Sequence, residues 1–230
     1  ETSQGKKMTF SLDTGNAFYV ATHKEVLERV GRRTPGEKPQ FMRTSWVGSG
    51  PVDSFMQHMT DVTIYGVPVK SSVWSVIDLP SSSSESDGTV GFGFLKNFNI
   101  ILDLERRRVW LEKWTDSVEN KLTGDVGISA AFDASKKRYR VARVTPNSPA
   151  EKAGVKAGDD VLSIDGKSVG DVGWRALSAM FEGDKGTKVQ LALSRGGNLM
   201  RFELERDYLV NGLPATAGSP SQASLPTIGQ

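Results

Sequence analysis

The sequence predicts a mainly β fold with short helices, divided into two small domains. Three observations lead there. The 230 residues have room for two domains, and 37% hydrophobic with 24% charged residues is ordinary globular composition. Strand-length apolar runs recur, each bounded by Gly, Pro or Asn/Asp turn signals. Helical spacing is confined to a few short windows.

Met8-Thr9-Phe10-Ser11-Leu12 alternates as a strand and runs into Asp13-Thr14-Gly15, so a strand delivers a carboxylate to a tight turn. Upstream, Gln4-Gly5-Lys6-Lys7 reads as the tip of a hairpin whose other strand would precede the chain. Ala17 to Val30 carries Val20, Val26, Leu27 and Val30 at roughly helical spacing, with Gly31 placed to stop a helix. Met42 to Val47 and Phe55 to Tyr65 read as strands around Gly48-Ser49-Gly50-Pro51, and Ile64 to Val69 as another hairpin or a tight corner. Val73 to Leu79 adds a strand, and Ser81 to Asp87 is a polar loop. Thr89-Val90-Gly91 ends another strand before an amphipathic helix, Phe92 to Phe98, and the strand Asn99 to Leu104. Val109-Trp110-Leu111 closes the first domain.

Residues 115–123 are a short linker without a Gly/Ser tract, which keeps the two domains near each other. The second domain opens with Gly124-Asp125-Val126-Gly127-Ile128 and continues through the strand Tyr139 to Val144. In Ser148-Pro149-Ala150-Glu151, the serine caps a short helix begun by proline, and Gly154 ends it. Gly158-Asp159 turns into the strand Val161 to Ile164, and Asp165-Gly166 closes a hairpin. Trp174 to Phe181 is a helix; Thr187 to Leu193 and Leu199 to Leu204 pair across Arg195 to Asn198. From 211 to 230, Pro, Gly, Ser, Ala and Thr dominate, as in a disordered tail.

Two family resemblances accompany this reading. The order strand, Asp-Thr-Gly, glycine loop, strand, Val-Gly, short helix and closing strand over residues 1–114 resembles one β-barrel lobe of a retropepsin-like aspartic protease. The resemblance implies a catalytic Asp13, a turn-locking Thr14 with Gly15, and a substrate-covering flap around Gly48-Ser49-Gly50. Residues 124–210 resemble a PDZ domain of the bacterial protease-associated type, a β-sandwich-like unit with two helices. That resemblance implies a groove formed by Gly124, Val126, Gly127 and Ile128 with Leu177 and Met180, taking an extended peptide by its C-terminal carboxylate. Ile128, Leu177 and Met180 can equally be core.

An aspartic endopeptidase needs two facing carboxylates that share a proton, one activating water and the other binding the developing oxyanion. One Asp-Thr-Gly supplies half of that dyad. The other half is expected from an upstream lobe or a homodimer partner. The alternative is a catalytically silent lobe on a PDZ peptide-binding or scaffold protein.

Other classes are weaker. With 29 basic and 27 acidic residues, no bulk field steers the chain to nucleic acid. Arg106-Arg107-Arg108 and Lys136-Lys137-Arg138 read as hairpin tips. There is no cysteine, and His23 and His58 stand far apart, so no metal, cofactor or Ser-His-Asp triad is expected. No window approaches a membrane span. The chain begins at Glu1 without Met, so upstream sequence is expected to have been removed. The compartment is not fixed by these residues; a periplasmic or secreted setting is the expectation.

Overall fold

Apolar alternation and glycine turns build two sheets in succession. The computed structural model describes residues 1–2, 4–47, 50–77 and 86–213. The first half contains β1 (Ser11–Asp13), β2 (Val20–His23), α1 (Lys24–Arg29), β3 (Arg43–Val47), β4 (Gly50–Ile64), β5 (Val67–Ile77), β6 (Gly88–Gly91), α2 (Phe92–Leu95), β7 (Phe98–Asp103) and β8 (Arg108–Lys113). Its six-stranded sheet, in the order β1-β6-β2-β5-β4-β3, is a curled half-barrel. β7 and β8 form a separate two-stranded ribbon.

The β4–β5 hairpin dominates this sheet. It turns at Tyr65-Gly66, both with positive φ (48° and 81°), as a two-residue turn matched to strand twist requires. Phe55, Met59, Val62 and Ile64 of β4 and Val69, Trp74 and Val76 of β5 are buried in one cluster with Tyr19, Val20, Leu27 and Phe94. Phe94 packs edge-on to Tyr19 and tilted against Phe98, at 5.4 and 4.9 Å between ring centres. α2 approaches the residues leading into β2 so closely that a Cβ on Gly93 would lie 2.8 Å from the Tyr19 nitrogen.

The expected helix over Ala17 to Val30 is corrected at its front half. Val20 to His23 is a strand inserted between β5 and β6, and only Lys24–Arg29 is helical. Val20 and Thr22 are almost fully buried, and sheet pairing on both sides outweighs the helical spacing of the apolar residues.

The second half contains β9 (Ile128–Asp133), β10 (Arg138–Val144), α3 (Pro149–Lys152), β11 (Asp160–Ile164), β12 (Lys167–Ser168), α4 (Trp174–Phe181), β13 (Lys188–Arg195) and β14 (Asn198–Glu205). Its sheet runs β14-β13-β11-β10-β9, with β12 beside β11. The Ser148 side chain accepts from the Glu151 amide, Pro149 starts α3, and Gly154 follows it at φ 86°. Arg195 grips the Asp159 carboxylate with two nitrogens, at 2.6 and 2.8 Å, and so ties the β13 end to the turn before β11. Both basic triplets lie exposed at hairpin ends.

The connecting residues pack rather than dangle. Val118 is buried, its carbonyl accepts from Tyr19 Oη at 2.5 Å, and Asn120 Oδ1 accepts from the Val73 amide. The expected tail is corrected at its first residue. Asn211 is 7% exposed, its backbone bonds to His58 and Met56, and its side chain bonds to residues 40, 41 and 56. Residues 214–230 of that tail lie outside the described residues.

Candidate functional site: the edge groove of the second domain

Asp13 ends β1, which pairs in parallel with β6 so that Asp13 stands opposite Gly91. Its Oδ1 accepts from the amides of Gly15 and Asn16, at 2.9 and 3.2 Å. The carboxylate therefore closes its own turn, an Asx-type arrangement that accounts for Asp followed by a small residue and Gly. Thr14 and Gly15 are exposed. In the expected flap, Gly48 and Ser49 lie outside the described residues; Gly50 begins β4 with φ 117° and pairs with Val47.

The loop before β9 is held far more firmly. Gly124 exchanges two backbone hydrogen bonds with Gly183, and Asp125 exchanges two with Asp207. The Val126 carbonyl accepts from Ala150, and the Gly127 carbonyl from Thr145. Gly127 sits at φ 86°, and a Cβ there would lie 2.3 Å from Ser148 Cβ. Only glycine fits.

This pinning leaves one edge of the sheet open. β9 pairs with β10 alone, and its other side faces α4. The Thr145 amide bonds to the Gly127 carbonyl across the Ile128–Val144 pair. That makes it a non-hydrogen-bonded pair and turns the Ile128 N–H and C=O away from β10, toward the free edge. The Gly124–Gly183 bridge sets the C-terminal end of α4 beside the loop, so α4 runs antiparallel to β9. A groove results, with the pinned loop at one end and Trp174 at the other.

The groove's expected lining is divided between core and surface. Val126, Ile128 and Leu177 belong to the buried cluster, at 0, 7 and 1% exposure, whereas Met180 is half-buried. Trp174, at 64% exposure, does not pack on the sheet; the Arg175 guanidinium lies over its ring. Phe132, near the far end of β9, is half exposed and edge-on to Tyr139. Trp174 and Phe132 thus offer aromatic surface that the loop motif does not announce.

Around the loop lie charges that the sequence reading missed. Asp125 Oδ1 accepts from the Gly127 amide at 2.7 Å, and Asp125 Oδ2 pairs with Arg43 of β3 at 2.6 Å. Glu182 stands nearby; its burial, reinforced by Asp125 and opposed by Arg43, raises its carboxyl above the usual value. These three side chains line a cavity of about 240 Å³ between the two halves, with Phe18, Met56 and Leu209. Close by, Arg143 of β10 reaches back to Asp53, Thr44 Oγ1 and the Arg43 carbonyl. Among the described residues no group of three or more His, Cys, Asp or Glu could hold a metal ion, and no helix is long and apolar enough to cross a membrane.

Comparison with known proteins assigns the second half. The PDZ domain family matches residues 124–205, so a PDZ domain is present. A probable CtpA-like serine protease of Staphylococcus saprophyticus is 33% identical over 130 residues, 56% of this chain and 26% of that protein. The carboxy-terminal processing protease CtpA of Bacillus subtilis is 40% identical over 80 residues, 32% of this chain and 17% of that protein. The periplasmic serine endoprotease DegP of Salmonella typhimurium is 30% identical over 123 residues, 51% and 25% of the two chains. The chain thus spans about a quarter or less of the length of these relatives. Among solved structures, the PDZ domain of a Vibrio cholerae carboxy-terminal protease in complex with peptide is 19% identical. It covers 37% of this chain and 96% of that one, with a TM-score of 0.31.

These relatives correct the expectation of an aspartic endopeptidase. The first and third are named serine proteases and none is named a retropepsin-like aspartic protease, so the assignment of residues 1–114 as an aspartic lobe has no support from them. With the aspartic reading goes the need for a second carboxylate from an upstream lobe or a homodimer partner.

Proposed function

We propose that this chain supplies peptide recognition to a proteolytic system, its PDZ domain capturing an extended peptide by the free C-terminus between β9 and α4. The observation that carries the reading is the outward N–H and C=O of Ile128 on an unpaired strand edge beside a rigid, glycine-containing loop. A peptide added there gains main-chain hydrogen bonds, and its terminal carboxylate meets the loop amides at the end of the groove. Met180 and Ile128 would flank the terminal side chain, which favours a hydrophobic last residue; Trp174 and Phe132 would flank residues further from the terminus. Gly124, Val126 and Leu177 serve the groove from behind by fixing the loop and the helix. Two of the relatives are named serine proteases, which supports a role in proteolysis for the whole protein, with the groove recruiting or presenting substrate.

The test is titration of the full chain with peptides ending in a free hydrophobic residue and with their C-terminal amides. Free-acid peptides should bind in the micromolar range, roughly −8 kcal/mol, and clearly tighter than the amides. Equal binding of the two forms, or none, refutes carboxylate capture.

A further inference from the structure

We propose that Asp125 is a resident stand-in for the ligand carboxylate, held in place by Arg43 of the first domain, so that peptide capture competes with a contact between the two domains. The inference rests on the peptide-binding reading above and adds what regulates it.

A terminal carboxylate arriving at the outward Ile128 amide would take the neighbouring Gly127 amide as its second donor. That donor is already engaged, by another carboxylate, at 2.7 Å. The second oxygen of the same carboxylate holds Arg43 at 2.6 Å, with the two side chains 12% and 28% exposed. Asp125 therefore makes both contacts expected of a bound anion, one to a loop amide and one to a guanidinium.

The charge balance argues the same way. Two carboxylates, Asp125 and Glu182, lie near the loop with Arg43, and burial leaves their repulsion toward a third carboxylate poorly screened. Burial first, and then the nearby Asp125, raises the proton affinity of Glu182. An incoming terminus must displace the resident carboxylate or bear its repulsion.

The loop backbone cannot step aside. Gly124, Asp125, Val126 and Gly127 are fixed by hydrogen bonds to Gly183, Asp207, Ala150 and Thr145. The Asp125 side chain is the part free to move, and its release alters its pairing with Arg43. Arg43 lies in β3, opposite Ser54 of β4, and its carbonyl accepts from Arg143 of the PDZ domain. Occupancy of the groove is thereby linked to the seating of β3. Linkage is reciprocal, so whatever strengthens the Arg43–Asp125 contact weakens peptide affinity by the same factor.

The experiment is fluorescence anisotropy of a labelled peptide with a free hydrophobic C-terminus, titrated with the full chain and with Asp125→Ala and Asp125→Asn. The same peptide as its amide is run in parallel. Asp125→Ala frees the Gly127 amide and removes the charge, and should tighten free-acid binding about fivefold or more, at the low end of coupling effects. Asp125→Asn keeps an acceptor for Gly127 and removes only the charge, so its gain should be smaller. Binding of the amide should not change in either variant, which also verifies that the groove is folded. Unchanged or weaker free-acid binding in both variants, with the amide still bound, overturns the proposal. Loss of both peptides in both variants overturns it as well, because Asp125 would then be a structural part of the loop. If no peptide binds the unaltered chain or either variant, the peptide-recognition reading fails together with it.

Discussion

Gly127→Ala tests the pinned loop on which the groove depends. Two costs add. At φ 86° an L-residue occupies the left-handed region, at about 1–2 kcal/mol. The new methyl would also lie 2.3 Å from Ser148 Cβ and 2.4 Å from Ser148 Oγ, contacts relieved only by moving buried atoms, at about 1–3 kcal/mol. The sum, about 2–5 kcal/mol, is a large fraction of a small domain's stability. Ser148 also caps α3, so pushing it away loosens the helix that packs behind the loop. Urea unfolding followed by near-ultraviolet circular dichroism should show the PDZ transition at markedly lower urea with little change in slope. A double-mutant cycle isolates the contact. Ser148→Gly removes both clashing atoms, so the Gly127→Ala cost should fall in that background, leaving the left-handed strain. A loss below about 0.5 kcal/mol from Gly127→Ala alone, the range of neutral surface changes, would show that the loop yields and that its rigidity is not what shapes the groove.

Two further outcomes follow from single contacts. The Arg195 side chain, ahead of other causes, lowers the Asp159 carboxyl below its ordinary 3.8, so this pair stabilises above that value and the contribution is lost as pH falls through the lower folded value. Asp159→Ala should cost about 1.5–3 kcal/mol at neutral pH, the range for hydrogen bonds to a charged group, since the Arg195 left behind is partly exposed, and should flatten the acid limb of the unfolding curve; an unchanged acid limb refutes the assignment. Tyr19→Phe strips the hydroxyl from the buried Val118 carbonyl and should cost roughly 1–3 kcal/mol in urea unfolding of the first half, an unchanged midpoint meaning that water replaces the phenol.

The legible parts of the molecule are those whose physics is local. Ser148-Pro149 through Gly154 announces a capped turn of helix, and Asp165-Gly166 a tight turn, because cap and turn energies are decided within a few residues. Val20 to His23 failed for the opposite reason: its strand identity comes from Ser75 to Ile77 and Gly88 to Val90, more than fifty residues away. Asp13-Thr14-Gly15 sits where the pattern put it, at a strand end. A three-residue pattern specifies a turn, however, and the chemistry imported with it required a second carboxylate that no local signal supplied.

The contacts joining the halves were the least legible, and they bear most on function. Arg43 and Asp125 are 82 positions apart, Asp53 and Arg143 are 90 apart, and Asn211 bonds residues more than 150 positions away. Each is a polar side chain that would be unremarkable on a surface. Together they set the β3–β4 edge of the first half against the peptide loop of the second, with the cavity shared by Arg43, Asp125 and Glu182 between them. A loop fixed on all sides by backbone hydrogen bonds can sense its surroundings only through a side chain, and here that side chain points at the other domain. On the proposed peptide reading, recognition by this PDZ domain is therefore a property of the pair, and the Arg43 contact is read in the whole chain rather than in the second half alone.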